Sequence, residues 1–498
     1  MWLGGMHDHV GGGFHRYSTD GEWILPHFEK MLYDNAQQIH NFAQGHALFG
    51  KERYRQAVAD TYRWLERKMK GEHGGFYSAI DAEVDGHEGK TYVWHYDEIL
   101  DVLGEEDGQF FAEIYNVNEN GNYREEASGE KPGTNVLHLD RPLVQIADDR
   151  GMRVNKLRDR LTDMHQQLLK RRLKWKQPEI DDKIVAGWNG LMIEAMAYAG
   201  RKLDESRYIE RAERSANFIV DHMVQDGRLM RIYRDGQLSQ LGYLDDHAYL
   251  AAGFLELYRA TGHPRWLDKA IWLADEMLAR FQDSRNGGFY YTTKQHEQAF
   301  GSRTKNLTSG GNIPTPNGTA ARVLVRLGRL TDTPKYTKSA NKTLQSLSGI
   351  MWQAPQSMDA LSLAASRKLA ESDPVKIPAK PAASADPKSQ DKNRRRVANT
   401  QSAPDAPVTG EPDVRKEGTP VGIRLFAPEQ PIASGETATV YVALDIQEGW
   451  HLYGKNPEVE FLVPTTLSAN SADDAVTVGR VQRPEQVKKK DSVLDKTL

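Results

Sequence analysis

Between Gly11 and Asn35 the chain gathers His15, Arg16, Asp20, His27, Glu29 and Lys30 among glycines and aromatic rings. Imidazoles and carboxylates can move protons, and a guanidinium or ammonium can hold the negative charge that develops on an oxygen. The same groups are poor core material, because each needs a partner once buried. The run therefore reads either as a pocket for an anionic or polyhydroxylated ligand or as a structural ion-pair network. His15 and His27 are its acid–base candidates, and Arg16, Asp20, Glu29 and Lys30 its ligand-binding candidates.

Further chemistry lies downstream. Asp81 and Glu83, two residues apart, can share one face of an extended loop, where they serve as acid and base only if their environments differ. Local turn capping or lysine pairing explains them equally simply. Trp94 offers a stacking surface or a core residue. Asp182 and Asn189 can bond hydroxyls while Trp188 covers an apolar sugar face, although helix caps and a buried ring leave the same trace. Asp245, Asp246 and His247 open a helical pattern, where Asp246 could orient the His247 imidazole for catalysis, or cap the helix beside a satisfied histidine. Asp246 and His247 thus join the catalytic candidates.

Several function classes drop out on composition. With no cysteine among 498 residues, thiol nucleophiles, disulfides and cysteine-ligated metals are excluded from the chain. A net charge of -4, from 65 basic and 69 acidic residues, argues against a nucleic-acid surface. Sixteen histidines fall in no compact ligand spacing, so neither a metal nor another cofactor is expected. No apolar run reaches the roughly 18 residues of a membrane span, and the first residues do not read as a secretory signal.

The elements that must position these groups are mainly helices. Periodicity predicts them over 34–50, 52–70, 141–150, 154–172, 187–202, 206–222, 245–261, 264–283, 317–329, 333–348 and 356–367. Ile193, Met196, Ala197 and Gly200 form one apolar stripe, and Ile209, Ala212, Ala216, Phe218 and Ile219 form its partner. Gly-Gly-Phe recurs at 12–14, 74–76 and 287–289, as expected of repeated hairpins. About six hairpins closed into a ring would gather their loops around one end of a central cavity, whereas a linear solenoid needs fewer aromatic and charged loop residues. The fold class expected is mainly α, an (α/α)6 toroid.

Long segments resemble one family. Trp2 to Asn35, Gly74 to Glu83, Glu88 to Trp94, Asn135 to His138, Asp181 to Met192 and Gly242 to Ala248 are similar to the all-helical region of the spermatogenesis-associated protein 20 and YyaL-like family. The resemblance covers about residues 1–350. It implies an (α/α)6 toroid like those of sugar epimerases and six-hairpin glycosidases, normally preceded by a thioredoxin-like domain, and hence a toroid truncated at its N-terminus. Over Lys305–Gly318 the sequence departs from the family pattern and keeps only Pro316-Asn317.

Residues 371–419, rich in Pro, Ala, Ser, Asp and Lys, read as a disordered linker between a toroid at 1–370 and a β unit at 420–498. Val421–Phe426 and Ala438–Ile446 carry strand patterns. With the aromatic turn at Trp450–Pro457 they resemble part of the immunoglobulin-like amino-terminal domain of DsbD-type proteins, which implies a docking module and an extracytoplasmic setting.

The expected function is sugar binding with epimerase or isomerase chemistry, the ligand being a sugar or sugar phosphate. The alternatives are glycoside hydrolysis and a non-catalytic scaffold whose β unit docks a protein partner.

Overall fold

Helices of two kinds build the N-terminal unit. α1 (Leu32–Phe49) is followed by α2 (Glu52–Trp64), which runs into a π turn at Leu65–Met69. Next come α3 (Tyr96–Leu103), α4 (Glu105–Ile114), α5 (Leu143–Asp149) and α6 (Val154–Arg172). The chain then alternates between α7 (Ala186–Leu203), α8 (Ser206–His222), α9 (Leu244–Thr261) and α10 (Pro264–Arg280). It closes with α11 (Pro316–Thr331), α12 (Pro334–Gln353) and α13 (Asp359–Leu369). This computed structural model describes residues 1–125, 129–296, 303–305, 312–353 and 359–369, together with four C-terminal strands. The chain divides into Met1–Ile377 and Pro378–Leu498.

Composition separates the layers. α7 and α9 are buried around most of their circumference, whereas α8 buries one stripe, Tyr208, Ala212, Ala216, Phe218 and Ile219. A helix apolar on all sides belongs inside, and an amphipathic one belongs outside. Accordingly α1, α7, α9 and α11 form an inner layer in which α7 packs on α1 and α9, and α9 on α11. Outside them α2, α8, α10 and α12 each pack on the inner helix that precedes them, and α13 packs on α11. This is the two-layer plan of an α/α toroid, and its helix limits follow the sequence expectation closely.

The inner helices approach closely because glycine faces backbone. A Cβ on Gly190 of α7 would stand 2.5 Å from the Leu250 nitrogen of α9, and one on Gly253 of α9 would stand 2.8 Å from the Gly190 carbonyl. Deeper in the layer, Glu256 of α9 binds Arg201 of α7 and Arg326 of α11, and Glu194 of α7 binds Arg322 of α11. Buried carboxylates so paired lock the inner helices in register.

α3 and α4 were not foreseen. Each is short, and Gly104 divides them, which hides the apolar period. With α5 and α6 they enclose a second core around Ile99, Phe111, Leu157, Leu161 and Leu168. Trp94 is fully buried in that core with its ring 4.6 Å from Trp175, so it is packing and not the ligand surface expected.

Short strands tie the inner helices together at their N-terminal ends. Lys30–Met31, just before α1, pairs with Ala79–Ile80, which pairs with Ile180–Asp181. Ile184–Val185, just before α7, pairs with Arg228–Arg234, which also pairs with Gln237–Leu241 ahead of α9. Among the described residues of the second unit, Val421–Phe426 pairs antiparallel with Tyr441–Ile446, and Lys490–Asp491 with Lys496–Thr497. The predicted linker lies outside the described residues, as do residues 306–311 of the Lys305–Gly318 turn.

Candidate functional site

The repeated Gly-Gly-Phe loops are held by one device used three times. Asn35 at the start of α1 accepts from the Phe14 N–H at 2.7 Å and donates to its carbonyl at 3.0 Å. Asn189 of α7 does the same for Phe76, and Asn317 of α11 for Phe289. The loops need glycine at these turns: Gly13 has φ +79° and a Cβ there would meet the Trp64 ring at 2.7 Å. Asn189 is therefore a buried clamp and not the hydroxyl-binding residue expected.

These clamps bring polar groups to the N-terminal ends of the inner helices. Around α1, Arg16 donates to Glu29 at 2.7 Å. His27 sits between two carboxylates, with Nδ1 2.6 Å from Glu88 and Nε2 3.7 Å from Glu29. Those carboxylates raise the imidazole's pKa, while His27 and Arg16 hold Glu29 below its ordinary value. Asp34, in the first turn of α1, behaves in the opposite way. Burial pushes its carboxyl up to about 7 despite nearby Arg16, and its Oδ2 has no hydrogen-bond partner. The Trp188 ring, half-buried on α7, meets Tyr33 edge-on at 4.9 Å.

On the α9 side, Arg231 binds Asp245 at 2.9 Å and Asp246 at 2.6 Å, and Tyr291 donates to Asp245 at 3.0 Å. Burial and the neighbouring Asp245 push the Asp246 carboxyl up. The Asn312–Thr315 segment links the two sides, since Gln37 of α1 donates to the Asn312 carbonyl while the Tyr249 hydroxyl of α9 donates to the Pro314 carbonyl.

Several expectations are corrected here. Asp246 does not orient His247. Its carboxylate takes the N–H groups of Gly187 and Tyr243, both at 2.8 Å, besides Arg231. The His247 ring instead faces the Tyr243 carbonyl at 2.7 Å and packs on Phe281, with burial lowering its pKa. His15 is buried against Phe28 and Tyr92, its Nδ1 2.8 Å from the Phe28 carbonyl. Lys30 lies in the interior on Asp8, at 2.7 Å, where Arg172 grips the same carboxylate. Asp20 braces its own loop, accepting from the N–H groups of Ile24 and Leu25.

Asp81 and Glu83 are both exposed on one side of their loop, where Asp81 accepts from the Glu83 N–H, as local turn capping requires. Asp182 is partly exposed and pairs with Arg234 at 2.7 Å. Of the predicted set the structure brings together Arg16, His27 and Glu29, with Trp188 beside Tyr33. Sequence reasoning missed Tyr33, Asp34, Glu88, Arg231 and Tyr291 as site residues, although Asp34 carries the visible mark of an acid in a helix's first turn.

Comparison with known proteins adds a lineage. The chain is 35% identical to human spermatogenesis-associated protein 20 over 354 residues, covering 66% of this chain and 45% of that protein. The relatives that the helical unit is similar to carry the name spermatogenesis-associated protein 20. The rat protein is 33% identical over 358 residues, again 66% of this chain and 45% of the relative. The chain thus spans less than half the length of these relatives. Within the helical unit, residues 188–359 match the model of glycosyl hydrolase family 76, a six-hairpin glycosidase-like fold. A family 76 mannosidase from Bacteroides thetaiotaomicron superimposes at a TM-score of 0.39 with 12% identity, covering 69% of each chain, which is too loose to carry chemistry. The family 76 match spans residues 188–359, which include Arg231 and Asp245.

Proposed function

We propose that the helical unit binds a sugar or related polyhydroxylated metabolite at the N-terminal ends of its inner helices and transfers a proton on it, as an epimerase or isomerase does. One observation carries this reading: around Arg16 stand two carboxyl groups in opposite protonation states, Glu29 ionised and Asp34 holding its proton to about pH 7. Environments that split like groups in this way supply a base and an acid at one pH. Glu29 or the His27 it supports takes a proton, Asp34 returns one, and Arg16 stabilises the oxygen charge between the two steps. Trp188, half-buried and backed by Tyr33, supplies aromatic surface for a sugar face.

The roles assigned to His15 and His247 from the sequence pass to Asp34 and Glu29, because burial leaves the two histidines no approach to a ligand. A second reading, glycoside hydrolysis, is favoured by the adjacent Asp245 and Asp246 sharing Arg231, and by the family 76 match.

The test is a panel of sugars and sugar phosphates with the folded protein in D2O, followed by NMR. Epimerase or isomerase chemistry introduces deuterium beside the carbonyl carbon, and Asp34→Asn and Glu29→Gln lose it by at least about a hundredfold. Release of reducing sugar that depends on Asp245 and not on Asp34 would support hydrolysis instead. Absence of binding across the panel would overturn both and leave an interaction scaffold, with the C-terminal β unit as its docking element.

A further inference from the structure

His27 has a partner that the proton-transfer reading leaves unused. Glu88, 61 positions later in the chain, holds Oε1 2.6 Å from the His27 Nδ1 and takes the Phe28 N–H with the same oxygen at 3.0 Å. An oxygen that takes an N–H is an acceptor, so the hydrogen between Glu88 and His27 belongs to Nδ1. In the neutral ring Nε2 is then a lone pair. Glu29 lies 3.7 Å from it, beyond hydrogen-bond reach. His27 Nε2 thus has no hydrogen-bond partner among the described residues, yet it is not sealed from solvent as the orphaned Nε2 atoms of His7 and His165 are. The His27 side chain keeps 24% of its surface exposed.

The chain around Glu88 fixes this contact. His87–Glu88 pairs with Glu83–Val84 in a short hairpin, and the Glu88 carbonyl accepts from the Tyr123 hydroxyl at 3.2 Å. Gly89, at φ +73°, lets the hairpin close on Phe28, since a Cβ there would stand 2.4 Å from the Phe28 ring. On the other side Pro26–His27 pairs with Tyr17–Ser18, which stacks the Tyr17 ring 4.8 Å from the His27 ring. The imidazole is therefore held at Nδ1 by Glu88 and on one face by Tyr17, and Nε2 is left for chemistry.

We propose that Glu88 is a positioning residue that keeps the hydrogen of the neutral His27 ring on Nδ1 and so presents Nε2 as the base of the site. This role rests on the proton-transfer reading and selects between the two bases named there, Glu29 and His27. In the step, a substrate C–H proton passes to Nε2, and the C–H electron pair moves into the adjacent carbonyl, whose oxygen takes the charge beside Arg16. The Nδ1 hydrogen stays on His27 throughout, so the imidazolium that forms faces a carboxylate at each nitrogen. Glu29, Glu88 and Tyr17 are the titratable groups facing the ring, with Arg16 bound to Glu29. Glu29, and Glu88 with it, raise the pKa of His27 against the opposing effect of partial burial.

The first part of the test needs no substrate. Diethyl pyrocarbonate acylates a neutral, accessible imidazole, and peptide mass spectrometry of the full chain follows the reaction at His27 from about pH 5 to about pH 8. His27 should acylate with a midpoint above the ordinary 6.5. Glu88→Gln, which keeps an oxygen for the Phe28 N–H, should lower that midpoint by at least about half a unit. In the unaltered chain, labelled with 15N-histidine, the signal lost in His27→Gln should be that of a neutral ring protonated on Nδ1, a measurement that does not depend on Glu88→Gln folding. The second part repeats the sugar panel in D2O. His27→Gln should lower deuterium incorporation at least about a hundredfold, and Glu88→Gln should move its ascending pH limb downward together with the acylation midpoint. Melting curves establish that each variant is folded. A His27 ring protonated on Nε2, or a midpoint unmoved in folded Glu88→Gln, overturns the proposal whatever the sugars do. Deuterium incorporation that survives in folded His27→Gln overturns it and leaves Glu29 as the base. The expected acylation and 15N results with no deuterium incorporation from any sugar uphold the hold of Glu88 on His27 and overturn the proton-transfer reading alone.

Discussion

Asn189 closes both backbone groups of Phe76, a residue 113 positions earlier, accepting from its N–H at 2.8 Å and donating to its carbonyl at 3.0 Å. One side chain thereby fixes the second Gly-Gly-Phe loop to the first turn of α7, and its amide also donates to the Val185 carbonyl. With every polar atom of the exchange buried, the clamp is structural. Asn189→Ala should lower stability by about 2–4 kcal/mol, because each abandoned buried group costs about 1–3 kcal/mol. Asn189→Asp should fare no better, since a carboxylate cannot donate to the two carbonyls. Urea unfolding of the two variants beside the unaltered chain measures this, and a loss below about 0.5 kcal/mol would contradict it.

Asp8 binds both Lys30 and Arg172 in the interior. Burial alone would raise its carboxyl, but Arg172 and Lys30 bring it well below the ordinary value of 3.8. A carboxyl lowered on folding stabilises above its unfolded pKa, and that contribution is lost as the pH falls from about 4 toward the folded value. Asp8→Asn should cost about 3–5 kcal/mol at neutral pH, since it strands two buried cations. The gap between variant and parent should narrow in unfolding curves taken below pH 4.

For Asp34 the sign is reversed. Its carboxyl keeps a proton to about pH 7 in the fold but loses it near 3.8 when unfolded, so the folded chain binds more protons between those values. Stability from this group therefore falls as the pH rises from about 4 to about 7. Asp34→Asn should remove that fall, making the variant the more stable by roughly 2 kcal/mol at pH 8 once partial exposure is allowed for. Parallel pH dependences of parent and variant would show that Asp34 does not hold its proton.

Gly190 marks the closest approach of α7 and α9. Alanine is normally the better helix former by about 1 kcal/mol. Here its methyl group would strike the α9 backbone, so Gly190→Ala should instead destabilise by about 1–3 kcal/mol. A raised melting temperature would mean that the helices can part without penalty.

Much of the helical plan was legible in the chain. The apolar stripes on residues 187–202 and 206–222 placed α7 and α8 within a residue or so of their observed limits, because burial of a helix face leaves a period that no loop imitates. The recurring Gly-Gly-Phe likewise announced repeated turns. The short α3 and α4 escaped, since Gly104 breaks the period before it can be read.

The sequence by itself determined which residue types were available for chemistry: no thiol, a dense basic and acidic run before α1, and paired aspartates opening α9. Only the tertiary structure decided which of them face a ligand. Lys30 and Glu29 are neighbours in the chain, yet Lys30 turns inward to Asp8 while Glu29 turns to Arg16 and His27. Asp246 and His247, adjacent and well suited to a dyad, do not bond each other, Asp246 taking Arg231 and the N–H groups of Gly187 and Tyr243 and His247 the Tyr243 carbonyl, because the helix sends successive side chains in different directions. Local spacing records what a group can do, but partners from residues far away in the chain set its burial and its charge.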